Sequence, residues 1–234
     1  MVFLDAYFRT FFIKAVQYGT AFTINFEGSE YLITAKHLVD TTASAFNIRV
    51  FQNNAWVELY VSVLGHGKGD VDISVFSIPS QLSSTEFTLT PAVREFALGQ
   101  DVFFLGFPYK MWGDLGSFLD GRPCAFIKRG TLSFYDKKEN NVLYVDAINN
   151  EGFSGGPLLF YPPGRPRDLR VAGVVSKFKV EHEAVLDEQG EATEMRVPYN
   201  TGFLVAYGMT HVIEIIRSKE VSNPSIERTA PKNE

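Results

Sequence analysis

Ser154 stands among three glycines in the segment "NNEGFSGGPLLFYPPG", residues 149–164. A serine hydroxyl is a weak nucleophile until a base removes its proton. Histidine is the usual base, because its unperturbed pKa of about 6.5 leaves it neutral and available at pH 7. The imidazole in turn needs a carboxylate that holds its tautomer and stabilises the imidazolium ion. A serine flanked by glycines is by itself more typical of a turn, so the chemistry depends on the rest of the chain.

The chain has four histidines, and one of them directly follows a predicted strand. His37 lies in "YLITAKHLVD", just after an apolar run ends. The other three lie in a glycine-rich turn, in an acidic segment and at the start of a helical pattern: His66, His182 and His211. Any one of them alone is more typical of a surface or structural residue than of a catalytic base.

The carboxylate candidates lie together before another predicted strand. Asp72 in "DVDISVFSI" immediately precedes a β-rich run, and Asp70 comes two residues earlier. Because side chains alternate along an extended chain, the two carboxylates are able to project to the same side. In isolation each of them is an ordinary loop residue, and the residues alone leave the choice between them open.

Seven short motifs place these residues in a recognisable order. They are "GTAF" (19–22), "LITAKH" (32–37), "DVDISVF" (70–76), "GFP" (106–108), "GFSGGPLL" (152–159), "VAGVVS" (171–176) and "GFLVA" (202–206). The chain resembles the trypsin-like (chymotrypsin-fold) serine peptidases. It is most similar to their single-chain, disulfide-free bacterial branch, which includes the high-temperature-requirement proteases. The resemblance covers about residues 12–217.

The resemblance assigns a role to each candidate. It implies that His37 is the general base, that Asp72 orients it, and that Ser154 attacks the scissile carbonyl. It also implies an oxyanion hole made by the backbone N–H groups of Gly152 and Ser154, and removing one such donor typically costs about 10²–10³ in turnover. The implied activity is that of an endopeptidase with a protein or peptide substrate and with no metal or cofactor.

The same resemblance locates a pocket for the substrate side chain before the cut. Its base is expected at Ile148, one wall at Ser176 and Phe178, and space at Gly202. A preference for arginine or lysine requires a carboxylate at the base, because burying an unpaired cation is costly. Since Ile148 has no carboxylate, we expect small to medium aliphatic side chains instead.

Phe153 departs from the family pattern, which usually has aspartate or asparagine before the nucleophile. Its presence predicts that activity needs no N-terminal clipping, and it raises the hypothesis of a collapsed oxyanion loop. The family branch also carries a peptide-binding (PDZ) domain for which this chain has no room. Regulation or substrate delivery is therefore expected to come from a protein partner, while the oligomeric state is left open.

Two other functions compete with this interpretation. "GFSGG" also fits the G-x-S-x-G nucleophile elbow of α/β-hydrolases, but that motif needs a helix after the serine, and "PLLFYPPG" is stopped by its prolines and glycine. The second alternative is a catalytically silent trypsin-like domain that binds a partner. An intact triad argues against it, and Phe153 argues for it.

The bulk composition limits the class of protein. The 234 residues are 45% hydrophobic, enough for one large domain or two small lobes. A net charge of −5 argues against a nucleic-acid binder. The lone Cys124 excludes an internal disulfide and favours a reducing compartment. The N-terminus is not that of a signal peptide, and no apolar run reaches the length of a membrane span, so we expect a cytoplasmic protein without a membrane partner.

The elements that must position the site are mostly short strands. Runs rich in β-formers recur between turn residues, as in residues 31–34, 48–52, 56–65, 73–78, 101–108, 125–134, 141–147, 169–178 and 201–206. This spacing predicts a sandwich or barrels. With the resemblance it predicts an all-β fold of two antiparallel six-stranded barrels and a C-terminal α-helix.

The predicted boundaries follow from these patterns. The peptidase domain is expected over residues 1–218, with barrels over about 12–85 and 98–208, a helix over about 209–218 and a polar tail over 219–234. Residues 91–98 are interpreted as a helical turn between the barrels. Two segments, 161–170 and the acidic 180–196, are interpreted as solvated loops.

Overall fold

A computed structural model describes residues 4–222 of the chain. The predicted polar tail lies outside the described residues from position 223 onward. The described chain contains two α-helices, α1 at Leu4–Phe8 and α2 at Thr210–Ser222. Neither is long and apolar enough to cross a membrane.

Six strands form the first barrel. They are β1 (Thr10–Lys14), β2 (Tyr18–Phe26), β3 (Ser29–Thr34), β4 (Ala45–Gln52), β5 (Ala55–His66) and β6 (Ser74–Ser77). The order around the barrel is β1-β2-β3-β6-β5-β4, and every pairing is antiparallel. The barrel closes because β4 also pairs with β1, with Ile13 opposite Val50.

Seven strands form the second sheet. They are β7 (Thr90–Pro91), β8 (Asp101–Gly106), β9 (Phe126–Asp136), β10 (Val142–Asp146), β11 (Pro157–Phe160), β12 (Arg170–Leu186) and β13 (Ala192–Gly208). Six of them close into a second antiparallel barrel, because β11 pairs with β8 on one edge and with β12 on the other. The short β7 is added in parallel to β12. The predicted all-β fold with two six-stranded barrels and a C-terminal helix is confirmed.

Alternating side chains explain why these runs form barrels. In β4, Ile48 and Val50 are buried while Asn47 and Arg49 are exposed, which is the period of a strand with one face on a core. One apolar cluster fills each barrel. A third cluster contains residues of both barrels and of α2, and in it the rings of Phe12 and Phe107 stack with centroids 4.9 Å apart. This shared cluster packs the two barrels against each other.

Two local predictions were wrong. Residues 91–98 contain the end of β7 followed by bends, and no helical turn. The acidic segment 180–196 is a β-hairpin, in which Glu181 pairs with Tyr199 and Glu183 with Val197. Cross-strand pairing satisfies the backbone there even though glutamate is a poor strand former. The acidic side chains themselves are exposed, as expected.

Candidate active site

His37 and Asp72 are joined by two hydrogen bonds. His37 lies in a short 3₁₀ turn, Lys36–Leu38, directly after β3, and Asp72 lies in the loop before β6. The imidazole Nδ1 is 2.7 Å from Asp72 Oδ2, and the backbone N–H of His37 donates to Asp72 Oδ1 at 2.9 Å. Because the carboxylate can only accept, the proton lies on Nδ1, and Nε2 is left as the basic nitrogen.

Asp72 is held in its charged form. Burial by itself raises the pKa of Asp72, but the hydrogen bonds from His37 and from Ser176 Oγ, together with the electrostatic attraction of His37, outweigh it and lower the pKa. Ser176 Oγ donates to Asp72 Oδ2 at 2.6 Å. Asp70 lines the same cleft, yet it forms no hydrogen bond to His37 in the described chain.

Ser154 lies in the turn that leads into β11. Its hydroxyl donates to the backbone carbonyl of Ser176 at 2.7 Å, and within residues 4–222 it forms no hydrogen bond to His37 Nε2. The side chains of Ser154, His37 and Asp72 nevertheless line one cleft of about 710 Å³. A catalytic hydrogen bond is often absent or long before substrate binds, and rotation about one side-chain bond moves the hydroxyl.

The glycines around Ser154 are required by the backbone. Gly152 has φ 99° and Gly155 has φ 83°, a region that side-chain-bearing residues rarely adopt. A Cβ at Gly152 would collide with the carbonyl oxygen of Phe107, and one at Gly155 would collide with the carbonyl oxygen of Thr20. The glycine-rich motif therefore serves a tight turn that lies between the two barrels.

Hydrogen bonds from two directions fix the peptide groups before Ser154. Thr20 Oγ1, on β2 of the first barrel, donates to the carbonyl of Gly152 at 2.6 Å. The backbone N–H of Tyr109 donates to the carbonyl of Glu151 at 2.9 Å. The backbone N–H groups of Gly152 and Ser154 donate to no other described residue. Two backbone donors of the turn that carries Ser154 therefore have no hydrogen-bond partner within residues 4–222.

Phe153 is part of the second barrel's core. The residue is fully buried, and its ring meets Phe104 edge-on with centroids 5.0 Å apart. Gly106 provides the space, since a Cβ at that position would lie 2.6 Å from the Phe153 ring. A buried phenylalanine thus anchors the turn through packing.

The residues predicted for the substrate pocket fall into two groups. Ser176 and Phe178 line the cleft beside Ser154. Ile148 is 60% exposed and Gly202 occupies an irregular part of β13 with φ 80°, and neither lines that cleft. The structure therefore brings the residues of the predicted wall, but not the residue of the predicted base, next to Ser154.

Sequence reasoning missed three supporting side chains. Thr20 is one of them. Lys36 Nζ donates to the carbonyls of Gly67 and Gly69 at 3.0 and 2.8 Å and so ties down the loop that carries Asp72. Lys128 Nζ donates to the carbonyl of Ile148 at 2.6 Å, and burial lowers its pKa. Thr20 and Lys36 stand in the motifs "GTAF" and "LITAKH", whereas Lys128 lies in none of the seven motifs.

The described chain holds no candidate metal centre, because no three His, Cys, Asp or Glu side chains of residues 4–222 come together around a common point. Cys124, the only cysteine, is free and half-buried, and burial raises the pKa of its thiol.

Comparison with solved structures supports the fold. The chain is 17% identical to the inactive form of the Rv3671c protease of M. tuberculosis, with 92% of this chain and 90% of that chain covered and a TM-score of 0.54. It is 18% identical to the HtrA-type protease AlgW bound to a tripeptide and to the serine endoprotease of Yersinia pestis. Both comparisons cover 92% of this chain, with TM-scores of 0.55 and 0.54, and they cover 61% and 64% of those longer chains. At these identities the likeness shows the two-barrel fold.

The sequence itself shows the family. No curated protein matches the chain. Residues 19–166, well over half of the chain, match the trypsin-like peptidase domain. This range contains His37, Asp72 and Ser154, together with the turn around the serine. The chain belongs to the trypsin-like peptidase domain family.

Proposed function

We propose that the chain is a serine endopeptidase that works through an acyl-enzyme. The observation that carries the proposal is the pair of hydrogen bonds between His37 and Asp72, which leaves Nε2 as the basic nitrogen in the cleft that also contains Ser154. A neutral imidazole with a fixed tautomer beside a serine is the arrangement that hydroxyl activation requires.

The reaction has two halves. His37 Nε2 takes the proton of Ser154 Oγ as the oxygen attacks the scissile carbonyl carbon. The carbonyl oxygen becomes negative and is bound by the N–H groups of Gly152 and Ser154. His37 then gives the proton to the leaving amine, and the C–N bond breaks to leave an ester on Ser154. In the second half, His37 takes a proton from water as the water attacks the ester, and the carboxylic acid is released from Ser154.

Substrate binding prepares the nucleophile in this proposal. In the free protein, the Ser154 hydroxyl donates a hydrogen bond to the backbone carbonyl of Ser176 at 2.7 Å. An extended substrate brings backbone N–H groups to the same carbonyl. A substrate N–H that takes this acceptor releases the hydroxyl, which then turns to the free Nε2 of His37. The substrate thus assembles the hydrogen-bonded triad.

A silent, partner-binding domain is the second candidate. One observation favours it, namely that the Ser154 hydroxyl is bonded to Ser176 and not to His37. The two candidates differ in whether the cleft turns over peptides or only binds them.

Hydrolysis of a peptide library separates them. We expect the wild-type protein to cleave peptides, with Ser154→Ala and His37→Ala each losing at least about 10³ of kcat while keeping the wild-type melting temperature. The same library tests the expected cleavage after small to medium aliphatic residues, for which Phe178 at the cleft, and not Ile148, is the structural support. A wild-type protein that binds peptides without cleaving them, or a Ser154→Ala variant with wild-type turnover, would contradict the proposal.

A further inference from the structure

The strand β12 has one edge that is unpaired over half of its length. β13 pairs along one edge from Gly173 to Leu186. On the other edge, β11 pairs only between Arg170 and Val174. From Lys177 to Leu186, no strand of the described chain occupies that second edge. Such an edge presents unused N–H and C=O groups and is a template for an added strand.

This edge begins at the nucleophile. Ser176, Lys177 and Phe178 line the cleft together with Ser154. β12 then continues to Leu186, and its pairing with β13 shifts register between Val175 and Lys177, between Phe178 and Val180, and between Ala184 and Leu186. Ten residues of strand from Lys177 onward span about 30 Å. A polypeptide bound in the cleft is therefore able to remain paired with β12 well beyond the residues next to the cut.

The outer half of this hairpin, hereafter the arm (residues 179–200), is strongly acidic. Residues 179–200 contain six carboxylates, all between positions 181 and 194, and two basic residues, Lys179 and Arg196. Glu181 pairs with Lys179 at 2.9 Å, and the carboxylate of Asp187 accepts the N–H groups of Gln189 and Glu191 in the turn. Glu183 is exposed and has no hydrogen bond or ion pair to another described residue.

Apolar side chains accompany these carboxylates on the arm. Tyr199 lies directly opposite Glu181, and Val197 lies opposite Glu183, so each pair shares a face of the hairpin. Tyr199 is 41% exposed and Val197 is 52% exposed. A lysine or arginine side chain matches such a face, because its aliphatic stem covers apolar surface while its head meets a carboxylate.

We propose that a substrate bound in the cleft stays paired with the outer part of β12, from Lys179 to Leu186, through its segment N-terminal to the cut, and that the carboxylates of the arm select lysine and arginine in that segment. The inference rests on the proposed peptidase function and names its substrate class. The selected residues lie far from the pocket beside Ser154, so they add to the aliphatic preference at the cut.

The direction of the added strand follows from the part of the β12 edge that already has partners. The N–H of Val175 donates to the carbonyl of Gly156, and the N–H of Gly155 donates to the carbonyl of Val175, so the edge before Ser176 is filled. A paired substrate extends only toward Leu186. Antiparallel pairing, which β12 also makes with β11 and β13, places the N-terminal side of the cut there. Glu181 and Glu183 then face residues about five to eight positions before the cut.

Binding to the Ser154→Ala variant tests this without requiring turnover. The probes are fluorescent peptides with one aliphatic core and a six-residue N-terminal extension that contains two lysines, two glutamates or two glutamines. A fourth probe carries the lysines in a C-terminal extension. We expect the N-terminal lysine probe to bind about three- to tenfold more tightly than the glutamine probe, and the glutamate probe to bind more weakly. The difference should shrink in high salt.

Matched variants locate the effect. Glu181→Gln combined with Glu183→Gln should remove the lysine preference and leave binding of the unextended core unchanged. Glu139→Gln, in the turn between β9 and β10, should leave the preference intact. N-methylation of alternate residues in the lysine extension should weaken binding to the level of the core alone, because it blocks strand pairing.

Three results would overturn the inference: equal binding of the three N-terminal probes, a lysine preference only in the C-terminal extension, or a lysine preference that survives N-methylation. Absence of peptide cleavage by the wild-type protein would instead count against the proposed catalytic function, since these binding measurements do not depend on it.

Discussion

The two carboxylate oxygens of Asp72 accept three hydrogen bonds, from the His37 backbone N–H, the His37 imidazole and the Ser176 hydroxyl. Its lowered pKa keeps it charged, so the imidazole retains one tautomer. Sequence motifs named His37, Asp72 and Ser154, because the family pattern ties residue type to position. They did not predict that Ser154 Oγ donates to Ser176, because a rotamer depends on a carbonyl 22 residues away in the chain.

Single substitutions test the choice between Asp72 and Asp70 as the partner of His37. We expect Asp72→Asn to lose about 10⁴ of kcat, because an amide at that position favours the wrong tautomer of His37. Asp70→Asn, which removes a carboxylate that lines the cleft but makes no bond to His37, should stay within about threefold of the wild type. Steady-state kinetics of both variants checks this, and a large loss at Asp70 alone would reverse the assignment.

At the scale of elements, the turn before β11 depends on packing behind it. Phe153 is buried among side chains of the second barrel, and the turn reverses through Gly152 and Gly155. Most strands were predictable, because apolar alternation between turn residues marks a barrel strand. The arm was not, because its acidic composition is typical of a solvated loop, and only pairing with β13 makes it a strand.

Phe153 offers a prediction about this turn. Phe153→Ala should lower the free energy of unfolding by about 3–5 kcal/mol through the cavity that it leaves. It should also lower kcat, because the N–H groups of Gly152 and Ser154 lose their support. Phe153→Leu fills most of the space and should recover most of both. Thermal or urea unfolding together with kinetics measures the two effects, and a stable, fully active Phe153→Ala protein would contradict the role of this packing.

In the molecule as a whole, side chains and backbone of both barrels hold the turn around Ser154 in place. Thr20 in the first barrel binds the turn of the second barrel twice: its hydroxyl donates to Gly152, and its N–H donates to the carbonyl of Ser154 at 3.0 Å. Thr34 Oγ1 in turn donates to the carbonyl of Thr20 at 2.6 Å. Sequence alone gives no such contact, because residues 20 and 152 meet only after both barrels have closed and docked.

The hydroxyl of Thr20 is expected to act as a positioning group. Thr20→Val keeps the shape of a fully buried side chain and removes one hydrogen bond to Gly152. We expect kcat to fall about tenfold with little change in KM, since the bond orients a donor that acts in the transition state. Thr20→Ser should restore kcat. Equal loss in both variants would show that packing, and not the hydroxyl, is what matters.

The proposed peptidase function depends on an activated hydroxyl at Ser154, and covalent labelling tests this most directly. The full chain from Met1 is incubated with a fluorophosphonate probe, and the modified residue is mapped by mass spectrometry. We expect one adduct, on Ser154, with labelling strongly reduced in His37→Ala and absent in Ser154→Ala. Labelling of another residue, equal labelling in His37→Ala, or a wild-type chain that cleaves peptides yet carries no adduct on Ser154 would contradict it.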